Sequence, residues 1–169
     1  GIQLPFKYYS LDPLYSVHFS DNPRVFHLYK DLDKLAAQFD GIETDFKKKM
    51  EKYLEKSGRL FHDTVDLVIK NNFDSYLDYI LTLMRVNPIH IPVLFRNFWQ
   101  QVNQYFDSGE ARQIISLVAF FLGRTPFDTM SVYTLLSYTE FKHDGDFNVE
   151  GGMYEIVKGF LKELEKENV

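Results

Sequence analysis

The 169-residue sequence predicts an α+β fold, a predominantly helical layer packed on a small antiparallel sheet. Three observations lead there. Tyr15, Val17 and Phe19 alternate with Ser16, His18 and Ser20, the two-residue period of a half-buried strand, just before the turn signal Asp21-Asn22-Pro23. Most of the remaining chain repeats its apolar residues at helical spacing. A late stretch, residues 138–149, supplies one or two more strands and runs into paired glycines that open a helix. The length suits a single domain over 1–169, with enough chain to bury a core.

Taken in order, Tyr8 to Tyr29 reads as a hairpin, Val25 to Tyr29 forming its return strand. A lone two-stranded hairpin is marginal, so it must find further strands or a helix layer. Asp31 is the expected N-cap of a helix with Leu32, Leu35, Ala36 and Phe39 on its apolar face. From Thr44 a longer helix places Phe46, Met50, Tyr53, Leu54, Phe61, Val65 and Val68 near one stripe, and Gly58 is expected to bend or break it. The charges opposite, Lys47 to Lys56 with interleaved glutamates, suit a solvated face better than a lipid-binding patch. Phe73 to Met84 gives another helix, with Tyr76, Leu77, Ile80, Leu83 and Met84 as its buried side.

Pro88 and Pro92 forbid a continuous helix through the apolar run Val86 to Leu94. That run is either an ordinary buried connection, or a stretch that lines a lipophilic entrance or rests on a membrane. Phe95, Phe98, Trp99, Val102 and Phe106 make an aromatic helical stripe. Asp107 with Glu110 resembles a capping box for a helix that becomes apolar all round by Phe120 and Phe121 and should be deeply buried. Gly123 stops it, and a short helix spans Met130 to Ser137. Glu140 onward reads as a short strand, a turn at Asp144-Gly145 and a second extended piece. Gly151-Gly152 then opens a helix carrying Met153, Ile156, Val157, Phe160 and Leu161 on one face.

Composition closes off several classes. A net charge of -5 argues against nucleic acid as a partner, which needs a basic face. With no cysteine there is no disulfide, thiolate chemistry or cysteine-based zinc site, which suits a cytoplasmic protein. No apolar run is long enough to span a membrane. His18 and His27 could face each other across the hairpin, but they lack a third ligand, so no metal site is expected. There is no G-x-S-x-G elbow, P-loop or G-x-G-x-x-G, and no acid-base pair stands out. No catalytic residue is therefore assigned. The aromatic share, 17%, is the outlying number: it serves either a ring-rich core or a surface that lies against something apolar.

Four segments, in order, resemble the central region of FAD-dependent carotenoid desaturases, the phytoene and diapophytoene desaturase group. Leu11-Asp12-Pro13-Leu14-Tyr15-Ser16-Val17-His18-Phe19-Ser20-Asp21 is similar to the family's L-D-P-x-Y-x-V-x-F-x-D segment. Leu32 to Ile42 is similar to its following helix and turn. Tyr105-Phe106-Asp107 through Gly123-Arg124-Thr125-Pro126 resembles its Y-F-x-D … F-x-G-x-x-P run. Gly145 to Met153 matches G-V-W-Y-P-x-G-G-M at the glycines and the methionine, with Phe147 where the family often has Trp and Val149 where it often has Pro.

The resemblance implies a parent flavoprotein, a phytoene dehydrogenase type of oxidoreductase that passes hydrogen from a long apolar polyene to FAD. This chain would be its excised substrate-binding domain. The segments that bind FAD would lie in a missing domain, so the fragment alone is expected to hold no cofactor and to be inactive. Phe95, Trp99, Phe120, Phe121 and Phe127 become candidates for lining the substrate site, though each also suits a plain core. Phe147, Gly151, Gly152 and Met153 become candidates for the junction with the flavin domain. Implied partners are the polyene, the missing domain, a membrane surface touched peripherally, and a second copy through an exposed apolar face. A related flavoprotein oxidase or saturase of the same fold, or a free-standing helical module binding a lipid or a partner, are the alternatives.

Overall fold

A computed structural model describes residues 4–167. The α+β reading holds, with two separate two-stranded ribbons in place of one sheet. The predicted hairpin forms between β2 (Tyr15–His18) and β3 (Val25–Leu28), with Tyr15 opposite Leu28. Residues Tyr8–Ser10, read as part of that hairpin, instead form β1 and pair with β4 (Phe147–Val149) near the other end of the chain. His18 and His27 lie diagonally across the ribbon, and His27 Nδ1 takes up Ser16 Oγ at 2.8 Å.

The core sits between the β2–β3 ribbon and the helices. Asp31 caps α1 (Leu32–Ala37) by accepting from the Asp33 and Lys34 N–H groups, as expected. Leu35 and Phe39 meet Phe26 and Leu28 of β3, and Phe39 stacks on Phe46 of α2 (Phe46–Thr64) at 3.9 Å. Gly58 does not break α2. A Cβ there would lie 2.6 Å from the Tyr138 ring, so the glycine admits α7 (Leu135–Tyr138) against the helix. Past Thr64 the helix widens into a π-helical turn, Val65–Ile69.

α3 (Tyr76–Leu83) departs most from expectation. Tyr76, Leu77, Ile80, Leu83 and Met84, read as its buried side, are all exposed, Tyr76 at 86%. Helical periodicity shows that a face is apolar, but not that the same chain covers it. The Val86 to Leu94 run forms a 3-10 turn (Pro88–His90) and α4 (Ile91–Leu94). Val93 and His90 are buried, and His90 Nε2 meets Asp63 at 2.7 Å, tying the segment back to α2. Ile89, Ile91, Leu94 and Phe95 face outward.

Asn97 and Gln100 form a capping box on α5 (Phe98–Val102), and Phe98, Val102 and Phe106 are fully buried. The cap of α6 (Gly109–Ile115) is Ser108 and not Asp107: Ser108 Oγ accepts from the Ala111 N–H, while Asp107 pairs with Lys49 at 2.6 Å. Glu43 secures this helix start, accepting from the Asp107 and Ser108 N–H groups, Ser108 Oγ and Lys49. Burial pushes the Glu43 carboxyl up, but these donors outweigh it and hold it at about 2. Beyond Ile115 the helix tightens to a 3-10 form, Ser116–Leu122, ending at Gly123. The tighter winding keeps Val118 and Ala119 inside but turns Phe120, Phe121 and Leu122 outward, against the expectation of deep burial.

The final stretch is also less extended than predicted. Thr139–His143 is a π-helical turn, so β4 is the one strand formed within residues 138–149. α8 (Tyr154–Lys166) follows, resting through its buried Gly159 on Pro5 with its apolar face outward.

Candidate functional site

One cleft of about 420 Å³ is walled almost entirely by apolar groups. β2 contributes Val17 and continues into Phe19, α5 contributes Trp99, and α6 with its 3-10 extension contributes Gln113, Ile114, Ser116, Leu117 and Phe120. Pro126 and Phe127 close one side. The position of that loop is set by backbone bonds: the Trp99 N–H donates to the Pro126 carbonyl at 3.1 Å, and the Phe98 N–H to the Thr129 carbonyl at 2.8 Å. They bring the Phe127 ring to 5.3 Å from Trp99.

Trp99, Phe120 and Phe127 thus share this cleft, whereas Phe121 and Phe95 do not line it. Phe121 packs edge-on against Tyr15 at 6.4 Å, and Phe95 stands out at the end of α4, 82% exposed. No ionisable side chain lines the walls, so the cleft can hold and orient an apolar chain but supplies no acid or base. A larger depression of about 880 Å³ between Leu4–Tyr8 and the end of α8 is open and bordered by Lys7, Glu163 and Lys166, and encloses nothing.

At the far end of the β2 stripe lies a polar group that sequence reading missed. Glu140, in the π-helical turn, is buried with neither carboxyl oxygen hydrogen-bonded among the described residues. The Tyr15 hydroxyl, also buried, is turned toward it without closing hydrogen-bond geometry. Burial pushes the Glu140 carboxyl up to about 7; the tyrosine eases the rise and the Asp146 carboxylate adds to it. Burial and the Glu140 charge also push the Tyr15 hydroxyl well above its ordinary range. These residues come from opposite ends of the chain, and no local pattern marks their meeting.

Of the four junction candidates, Phe147 is exposed on β4 and packs edge-on against Tyr8 at 5.5 Å. Gly151 and Gly152 have φ of 87° and 96°, so their backbone angles alone call for glycine. Met153 is exposed at the start of α8. The glycine pair does not fit the phosphates of a dinucleotide: the Gly152 N–H is spent on the Val149 carbonyl, and the anionic Glu155 side chain lies against Gly151. Among the described residues no group of three or more metal-ligating side chains converges, and no helix is long and apolar enough to cross a membrane.

No family model matches the chain. Individual relatives do match, along nearly its whole length. A phytoene desaturase of Cercospora nicotianae is 27% identical, over 96% of this chain and 26% of its own length. A carotenoid 3,4-desaturase of Haloarcula japonica is 28% identical, over 94% and 32%. A 4,4'-diapolycopen-4-al dehydrogenase of Metabacillus indicus is 26% identical, over 88% and 30%. The chain therefore spans about a quarter to a third of the length of these relatives.

Proposed function

We propose that this chain is the substrate-holding middle part of a FAD-dependent, phytoene-desaturase-type oxidoreductase that acts on a long apolar polyene in carotenoid biosynthesis. The observation that carries the reading is the aromatic cleft without ionisable walls, in a chain similar along nearly its whole length to part of carotenoid desaturases. A hydrocarbon offers few polar handles, so its protein must align it by shape and exclude water. Trp99, Phe120 and Phe127 do the aligning. The redox chemistry belongs to the flavin-binding part of the parent, and no residue here has a bond-breaking role.

Two further surfaces fit this role. The exposed apolar arm of α3 and α4 rests on a membrane, from which the polyene is drawn. The outward face of α8, with Phe147 and Met153, docks on the flavin-binding part. Separated from that part, the chain is inactive and associates with itself through the uncovered faces.

The test is the full-length parent, reconstituted with FAD and supplied with phytoene in liposomes. Products absorbing at longer wavelength, and a higher KM for phytoene in a Phe127→Ala variant, are expected. A flavin-loaded parent that leaves phytoene untouched and oxidises an amine or saturates a polyene overturns the desaturase assignment in favour of the related flavoproteins. A native protein no longer than this chain, holding lipid by itself, would make it a free-standing module.

A further inference from the structure

The two ribbons differ in how their edges are closed. In β2–β3 the chain answers its own edge, since Gln38 Oε1 accepts from the His27 N–H of β3 at 3.1 Å. In β1–β4 the ladder fixes which groups face outward. The Leu11 N–H donates to the Asp146 carbonyl at 2.9 Å and the Glu150 N–H to the Lys7 carbonyl at 3.0 Å. Alternation in an antiparallel pair makes Tyr9 and Asn148 the bonded pair between them. The N–H and C=O groups of Tyr8 and Ser10 therefore point away from β4, and none of the four has a partner among the described residues. On the opposite edge Val149 is already taken. Its N–H donates to Asn148 Oδ1 at 2.8 Å and its carbonyl accepts from the Gly152 N–H at 3.0 Å. β1 is thus the open edge of this ribbon.

Its side chains are uncovered as well: Tyr8, Tyr9 and Ser10 are exposed on both faces of the strand. Edges left to solvent are normally blunted by charge, proline or a bulge. The three residues of β1, in unbroken register, carry none of these. Donors and acceptors repeating every second residue along one edge match an extended backbone, not a lipid tail. A three-residue edge falls far short of the ~1,200 Å² that two separate chains need to pair stably, so the strand must come tethered, at a raised effective concentration. The relatives, of which this chain spans a quarter to a third, have ample further chain to supply it. We infer that β1 takes a third, hydrogen-bonded strand from a part of the parent outside these 169 residues, paired through Tyr8 and Ser10. An apolar residue of that strand packs beside the Tyr8–Phe147 ring pair. This adds a backbone-paired contact to the docking of α8. It rests on the chain being part of a longer protein, and not on that protein's substrate.

Hydrogen exchange at single amides tests this with the sequence unaltered. The Tyr8 and Ser10 amides are expected to exchange at least about a hundredfold more slowly in the full-length parent than in the isolated chain, while Tyr9, bonded to β4 in both, changes far less. Ser10→Pro removes an outward N–H, which an edge strand tolerates. It should leave the melting temperature of the isolated chain unchanged, lower that of the parent and abolish the protection at Tyr8. Equal exchange in parent and chain overturns the inference. Protection that survives Ser10→Pro means that a helix or loop shields β1 without pairing, and overturns it too. Protection that grows with the concentration of the isolated chain assigns the edge to a second copy in place of the parent's own strand. A parent that converts phytoene yet exchanges equally sinks this inference alone; one that protects β1 and leaves phytoene untouched sinks the substrate reading alone.

Discussion

α3 and α8 both turn an apolar face to solvent, yet they are built differently. α3 carries one charged residue in eight, Asp78, and exposes Tyr76, Leu77, Ile80, Leu81 and Leu83 over a broad arc. α8 carries six charged residues in thirteen and exposes a narrow stripe of Val157, Phe160, Leu161 and Leu164. Four of these charges pair locally, Lys158 with Glu155 at 2.6 Å and Lys166 with Glu163 at 2.7 Å. A broad uncharged surface suits lipid, which cannot answer a charge, whereas a narrow stripe with a paired polar rim suits a folded protein partner. Apolar exposure alone does not name the occupant; the distribution of charge around it does.

The sharpest way to break this comparison is to charge each face. Leu77→Glu with Leu81→Glu removes two leucines from the exposed apolar arc, each worth about 2 kcal/mol on burial. Liposome co-sedimentation of the chain should weaken at least about a hundredfold, with an unchanged far-UV spectrum. Phe160→Glu with Leu161→Glu should leave liposome binding intact and instead reduce self-association, read by light scattering. If the α8 pair abolishes lipid binding and the α3 pair does not, the assignments are reversed.

A second prediction separates the two regions by pH. Glu140 lies in the turn that leads to β4 and α8, far along the chain from α3. Its carboxyl, ordinarily near 4.5, is raised to about 7 in the folded chain. Its contribution to stability is therefore full below about pH 4.5, falls as pH rises toward 7, and is lost above that. The whole change is about 3 kcal/mol. Glu140→Gln should flatten this fall in urea unfolding curves measured from pH 5 to 8. Hydrogen exchange should show β4 and α8 loosening first as wild-type pH rises, with α3 unaffected; the reverse order would detach Glu140 from the α8 side.

What could be read beforehand, and what could not, follows the range of the interactions involved. The Asp31 cap, the β2–β3 turn and the Gly123 stop depend on a few neighbouring residues, and each stands in the structure as the sequence predicts. The choice between Asp107 and Ser108 as the α6 cap turned on Glu43 and Lys49, distant residues that claim this corner. The cleft was partly legible, because Trp99, Phe120 and Phe127 were selected for their type and lie together. Ser116 and Leu117 on the same wall were not, since the helix there switches to 3-10 winding, which no composition announces. Nor was Glu140, which needs Tyr15 from the opposite end of the chain.

The seat of α8 on its own chain can be tested more gently. A Cβ on Gly159 would lie 2.8 Å from the Pro5 carbonyl oxygen, so Gly159→Ala must lift the helix or displace the N-terminal segment. Overpacking of this kind costs about 1–3 kcal/mol, offset by about 1 kcal/mol of helix propensity. Faster proteolysis confined to α8 is expected, with liposome binding through α3 unchanged. Uniform loss of stability would mean that the two regions are not independent.

The smallest effect bears on the rim of α8. Lys158 and Glu155 are about half and a third exposed, and such pairs contribute within about 0.5 kcal/mol. Lys158→Gln should therefore leave the melting curve of the isolated chain nearly unchanged. In the full-length parent the same change should matter more if α8 docks on the flavin-binding part, because a rim charge next to a buried stripe loses water on docking. The comparison of the two effects is the measurement. A Lys158→Gln parent that keeps its flavin and its melting temperature as fully as the fragment keeps its own would place Lys158 outside the docked surface. The stripe of Val157, Phe160, Leu161 and Leu164 would then have to be covered from another direction.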